Sequence, residues 1–236
     1  MKKRKTISTY FSASKFHRKS EELREEDRHI GALKIIEEAI VAYQKEKNYE
    51  GMSRALQSRF LIYKHLFLLS RDKAFAILGE KDAQSSLLIA KEHNISAVMS
   101  SCYFRLGEAA MLFEDYKKAR DNYKKAIDTY VGTKAEKGDY RYHLGEAIYK
   151  NGEKETGKRI ILQGLTEIKN NAKEADSFLI HVWESGCYMR LAELLRDDEP
   201  DQAKYYLNKA HQTAISDNRL IIRKRQIDQL ANKFSS

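Results

Sequence analysis

Apolar and small residues along this chain recur with the period of an α-helix rather than of a strand. Between Ser100 and Tyr130, Tyr103, Leu106, Gly107 and Ala110 fall on one face. The turn Phe113-Glu114-Asp115-Tyr116 follows, then Ala119, Tyr123 and Ala126 on a second face. The spacing predicts two amphipathic helices joined tightly, with small residues where they cross, because a large side chain there would hold the backbones apart. The second half of this pattern is a comb: a small residue, a bulky apolar one four positions on, and another small one three further. It occurs five times, as Ala32/Ile36/Ala39, Ala83/Leu87/Ala90, Ala119/Tyr123/Ala126, Gly157/Ile161/Gly164 and Ala203/Leu207/Ala210. Upstream of the third comb lies Leu106-Gly107; the element returns as Leu144-Gly145 and, weakened, as Leu191-Ala192.

The remaining elements follow from the same periodicity. A first helix is predicted from near Ile7 to Asp27, on the sparse apolar positions Ile7, Tyr10, Phe11, Phe16 and Leu23, and a second over Ile30–Tyr43. Asn48-Tyr49-Glu50-Gly51 reads as a turn, followed by a long helix carrying Met52, Leu56, Phe60, Tyr63 and Phe67. Ser70-Arg71-Asp72 reads as a cap, and Gly79 as the break in a short inserted helix over 72–81. Asp82–Glu92 is the second comb helix, stopped by His93-Asn94. Gly132 and Gly138 flank a polar linker ahead of a helix over Tyr140–Lys150. Asn151-Gly152 turns into Gly157–Ile168, where glycines replace both alanines of the comb. Each glycine costs about 0.5–1 kcal/mol relative to alanine in a helix. Either the backbones cross more closely there, or the hairpin is a softer joint. Glu174–Leu195 is a long helix with Trp183, Tyr188, Leu191 and Leu194. Pro200 opens the next, and Asp217–Phe234 the last, with Leu220, Ile227, Leu230 and Phe234 on one face and Arg223-Lys224-Arg225 and Lys233 on the other.

The 100–130 stretch resembles the tetratricopeptide repeat (TPR). Leu106, Gly107, Ala119, Tyr123 and Ala126 match its pattern, and Tyr103 stands for the usual tryptophan. Ala110 replaces a tyrosine, and no proline closes the repeat near Val131. The first positions of the five combs lie 51, 36, 38 and 46 residues apart, around and above the period of about 34 residues. The resemblance covers about Ser20 to Ala210. It implies an all-α fold, a right-handed α-solenoid of about five TPR-like helical hairpins with a C-terminal capping helix. The expected units are 7–46, 51–94, 96–131, 138–170 and 174–214, with the capping helix over 217–234, in one repeat domain spanning 1–236.

In that family the first helix of each pair lines the inside of the superhelix. The matching positions here are Phe104, Arg105 and Glu108; Tyr142, His143 and Glu146; and Met189, Arg190 and Glu193. Each unit repeats an aromatic or methionine, a basic residue or histidine, and a glutamate. The resemblance implies a groove for a peptide or partner domain, and the bare spacing equally allows Arg105–Glu108 and Arg190–Glu193 to be i,i+3 pairs on solvated faces. One subtype grips a C-terminal carboxylate with lysine and asparagine at these positions, and Glu108, Glu146 and Glu193 argue against it. A regulatory receptor for signalling peptides is the alternative, although no helix-turn-helix precedes the repeats.

Composition narrows the classes. One proline in 236 residues, 42% hydrophobic and 33% charged content suit an almost wholly helical chain. The net charge of +9 is spread among glutamates except at residues 2–5 and 223–225, which makes nucleic acid an unlikely partner. Thr6–Ser14 is too polar for a signal peptide, and Leu61–Leu69 is interrupted by Lys64 and His65, so no membrane span is expected. Cys102 and Cys187 occupy equivalent places two repeats apart, too far for a disulfide, and read as reduced packing residues of a cytoplasmic protein. No phosphate loop, HExxH, metal-spaced cysteine pair or nucleophile elbow is present. His143 with Glu146 and His181 with Glu184 share helix faces without making a metal site. The sequence therefore predicts a non-enzyme without metal or cofactor.

Overall fold

The structure, a computed structural model, describes residues 12–234. The expected first-helix positions Ile7, Tyr10 and Phe11, and the basic cluster at 2–5, lie outside the described residues. Among those described are eleven α-helices: α1 (Ala13–Glu25), α2 (His29–Lys45), α3 (Tyr49–Ser70), α4 (Lys73–Glu92), α5 (Met99–Leu112), α6 (Tyr116–Thr129), α7 (Lys134–Lys150), α8 (Lys154–Asn170), α9 (Ser177–Leu195), α10 (Pro200–Ile215) and α11 (Ile221–Asn232).

They pair in chain order as hairpins α1–α2, α3–α4, α5–α6, α7–α8 and α9–α10, each stacked on the next, with α11 packed on α9 and α10. The combs lie on the second helices. Their ten small residues face the partner helix, and all eight alanines are wholly buried, as are Ile36 and Ile161. Buried apolar clusters succeed one another along the stack, so the core is a column shared between neighbouring hairpins.

The turns have a common chemistry. Asp27, Lys47, Arg71, Asn94, Glu114 and Gly152 each take a left-handed conformation just after a helix, closing its last turn. The next helix then starts on a polar side chain in several cases. Asn48 Oδ1 accepts from Gly51 N at 2.8 Å, Asp72 Oδ1 from Ala74 N at 2.9 Å, and Asp115 Oδ1 from Lys118 N at 3.0 Å.

Three boundaries differ from the sequence reading. Tyr49 to Gly51 belong to α3, with only Asn48 outside as its cap. Residues 72–81 are no insertion: α4 runs unbroken through Gly79, whose bare Cα accommodates the Phe60 ring, a Cβ there meeting Phe60 Cδ2 at 3.2 Å. The extra length between the first two combs is thus the length of α3 and α4 themselves. Finally, α7 begins at Lys134, so Gly138 sits inside a helix rather than at the edge of a linker.

The glycines of α7 and α8 decide between the two explanations for them. A Cβ on Gly157 would lie 2.5 Å from Tyr149 N, and one on Gly145 would lie 2.7 Å from Ile161 N and 2.8 Å from Gly157 O. Gly138 and Gly164 stand in the same relation, each pointing at the other's carbonyl oxygen, at 2.7 and 2.5 Å. The backbones touch at two levels. These glycines are there for close approach, and no other residue fits.

Candidate functional site

A cavity of about 620 Å³ occupies the inner side of the stack. Its walls come only from the first helix of each hairpin (α1, α3, α5, α7 and α9) and from the start and inner face of α11. None of the second helices reaches it, because their small-residue faces are spent on packing. Phe104, Tyr140, Tyr142, Leu179 and Trp183 supply apolar surface beside Arg24, Lys64, Arg105, Asp139, Arg190 and Arg223.

Of the nine positions expected to face a groove, Phe104, Arg105, Glu108, Tyr142, His143 and Arg190 line this cavity. Glu146, Met189 and Glu193 do not. Met189 is buried against α11, where Arg223 Nη1 approaches its Sδ at 3.8 Å. The solvated-face reading of the charged pairs is also corrected. Arg105–Glu108 and Arg190–Glu193 do pair within their helices, yet Glu108 is only 5% exposed and both pairs extend to neighbouring hairpins. Glu108 binds Lys64 of α3 as well as Arg105. Glu146 binds Lys150 at 3.1 Å and, from α9, Arg190 at 3.1 Å.

Burial alone would raise these carboxyls. For Glu108, Lys64 and Arg105 overcome it and hold the group well below the usual carboxylate range; for Glu146, Arg190 and Lys150 hold it at about 2. Neither glutamate is therefore the free repelling charge that the sequence suggested. His143 lies between them with its ring edge-on to Phe104 at 5.0 Å, and burial pulls its imidazole down to about 3, so it is neutral at physiological pH.

Two residues that sequence reasoning missed stand at the α7–α9–α11 wall. Asp139 lies one turn before Tyr142 and His143, but reading Gly138 as a linker flank put it outside the helix. Arg223 was expected on the outer face of α11. It turns inward instead, donating to Gln226 Oε1 at 3.2 Å and to the Val182 carbonyl at 3.3 Å. Gly186 of α9 makes room for it: a Cβ there would meet the Tyr142 hydroxyl at 2.8 Å and Arg223 Nη2 at 3.0 Å. Arg225 is likewise engaged, with Asp27 in the turn between α1 and α2. The last helix thus bridges the last hairpin and the first.

Structural comparison places this architecture among known folds. A kinesin-light-chain-type protein of Podosopora anserina with nearly identical TPR-like repeats superposes with a TM-score of 0.57 at 12% identity, covering 86% of this chain and 94% of that one. A second structure of that type gives 0.55 at 12% identity over 93% and 95% of the two chains. The fold is that of the TPR-like helical repeat proteins. BtubC from P. vanneervenii is a further relative in fold, with a TM-score of 0.50, 16% identity, and coverage of 86% and 89%. No family model and no curated protein matches the sequence. The TPR-like character therefore rests on the stacked hairpins, the combs between them and these superpositions. Both cysteines are free and buried within it, Cys102 beside Ser86 Oγ at 3.1 Å and Cys187 beneath the Ile161 carbonyl. Among the described residues no helix is long and apolar enough to cross a membrane.

Proposed function

We propose that this protein is a non-enzymatic interaction module that takes a short segment of a protein or peptide partner into the interior of its TPR-like stack. The cavity carries the reading. It lies where the first helices converge, and a volume of about 620 Å³ falls in the range of sites that enclose a ligand, roughly 300–1,000 Å³. That space takes a few side chains and their backbone, not a folded domain. Apolar rings beside fixed charges suit a peptide, whose side chains bury while its backbone and charged groups need partners. Nucleic acid is a poor match, since Arg223 and Arg225 are engaged by the Val182 carbonyl and Asp27 rather than offered along a basic stripe.

Selection of a phage-displayed random-peptide library against the full chain tests this. Enriched peptides should lose binding to Leu179→Arg, which blocks the cavity at a residue 41% exposed and so leaves the core intact. Peptides that bind Leu179→Arg as well as the native protein would place the site elsewhere.

A role as a peptide sensor has one observation in its favour. The two ends of the stack meet at Arg225 and Asp27, so a ligand that wedged α1 from α11 would be reported by loss of that contact. Fluorophores on α1 and α11 should then move apart on binding; an unchanged transfer efficiency would count against sensing and leave the interaction module in place.

A further inference from the structure

Resting on the reading that the interior is the binding site, we propose that its α7–α9–α11 wall is a subsite for a basic side chain of the bound peptide, a lysine ammonium or arginine guanidinium that pairs with the Asp139 carboxylate.

Four acidic residues are buried among the described residues: Asp82, Glu108, Asp139 and Glu146. Three have a lysine or arginine in contact. Asp82 takes both arms of Arg59, at 2.7 and 2.6 Å; Glu108 takes Lys64 and Arg105; Glu146 takes Arg190 and Lys150. Asp139 lines the cavity at 7% exposure, and among the described residues it makes no ion pair with a lysine or arginine; His143 Nε2 lies 4.0 Å from its Oδ1. That imidazole is neutral at physiological pH.

Two guanidiniums are near enough to influence Asp139 without pairing with it: Arg105 is held by Glu108, and Arg223 by the neutral acceptors Gln226 Oε1 and the Val182 carbonyl. A buried carboxylate without a cation is costly and takes up a proton instead, and because this one faces a cavity an entering cation can replace that proton. Glu136, one turn upstream, also lines the cavity and adds negative potential that offsets Arg105 and Arg223 of the same wall, and Tyr140, Tyr142 and Trp183 give aromatic surface to the alkyl stem of a long basic side chain.

The protonation of Asp139 fits this reading. Burial, with Glu108 and Glu136 acting in the same direction against Arg105 and Arg223, pushes the Asp139 carboxyl up to about 8. At neutral pH it is mostly a neutral acid, a form the cavity tolerates. An entering ammonium or guanidinium would favour the carboxylate, and the proton would pass to solvent.

The random-peptide selection, run in parallel on the native protein and on Asp139→Asn, separates the outcomes. Native selections should enrich a lysine or arginine at one fixed position. Its replacement by norleucine should weaken binding by about tenfold or more, equivalent to about 1.4 kcal/mol. Asp139→Asn should weaken the native peptide by a similar factor without adding to the norleucine loss, while Asp139→Glu should keep the basic preference. Melting curves confirm that each variant folds. If enriched peptides lack a fixed basic position, or bind Asp139→Asn equally well, the subsite is refuted; sensitivity of the same peptides to Leu179→Arg would show that the interior reading survives. If no peptide is enriched, or none is sensitive to Leu179→Arg, the interior reading falls and the subsite falls with it.

Discussion

Arg225 of α11 forms an ion pair with Asp27, a residue 198 positions earlier in the chain, and so joins the two ends of a stack whose other contacts run between neighbours. Asp27 occupies the left-handed turn after α1, at a φ of 63°, where its Oδ1 also lies 2.7 Å from Nε2 of the buried His29. The side chains of Arg225 and Asp27 keep about a quarter of their surface exposed. A pair of this kind contributes up to about 1 kcal/mol to stability, so its main effect is on where α11 sits.

Reversing that charge should therefore loosen one element without unfolding the protein. Arg225→Glu is expected to speed hydrogen exchange of α11 amides while those of α5 to α8 keep their protection. Combining it with Asp27→Lys should restore the slow exchange. Equal acceleration throughout the chain would mean that the contact matters for global stability instead.

Two glycine-to-alanine substitutions should have opposite signs. Gly157→Ala places a methyl group 2.5 Å from Tyr149 N and should destabilise by roughly 1–3 kcal/mol. Gly31→Ala meets nothing nearer than Leu23 Cδ1 at 3.7 Å, inside α2, and should stabilise by about 0.5–1 kcal/mol. Denaturant melts of the two variants read both; a stabilised Gly157→Ala would contradict the backbone contact.

Glu146→Gln leaves Arg190 facing a neutral amide and removes the charge that ties α7 to α9. With Glu146 buried but Arg190 partly exposed, the loss should be about 2–4 kcal/mol. The sign of the pH effect follows from the pKa. The folded carboxyl titrates at about 2, below its unfolded value, so its stabilisation is complete above about pH 4.3 and is lost as pH falls towards 2. Glu146→Gln should flatten that acid limb of the stability curve, as measured by chemical denaturation between those limits.

Asp139 has the opposite sign. Its folded carboxyl is raised to about 8, so its contribution is fully present below about pH 3.9 and declines as pH rises through 8. Glu136, Tyr140, Tyr142 and His143 on α7, Glu108 and Arg105 on α5, Cys187 on α9 and Arg223 on α11 are charged or titratable groups around it. Asp139→Asn should raise the melting temperature more at pH 8 than at pH 5. An equal shift at both would mean that the native carboxyl is already ionised at the lower pH.

The repeat architecture was legible because it depends on spacing. The combs mark where two helices must touch, and the small residues of all five are buried in that role. Closure over the interior was not legible. The three-residue spacing of Arg105 and Glu108 shows that they share a face, but whether that face is solvated depends on Lys64, 41 residues before Arg105, and on α11. For Arg223 and Arg225 a run of basic residues suggested an outer face, since nothing local shows that Val182 and Asp27 lie opposite. Asp139 was hidden by Gly138, which reads as a helix breaker in sequence and serves as a contact point in space.

The glycine seam of α7 and α8 also bears on the order in which the chain assembles. In a stack of repeats folding can begin in any unit and spread to its neighbours. These two helices are joined by a turn of three residues, Asn151 to Glu153, and their backbones meet at two levels through glycines on both sides. The close backbone contact makes this hairpin the expected nucleus. Growth from there reaches α9 and α5 first and the two extremities last, so pulse-labelled hydrogen exchange during refolding should protect α7 and α8 before α1 and α11. The chamber, which needs both extremities, is then complete only when the chain has finished folding.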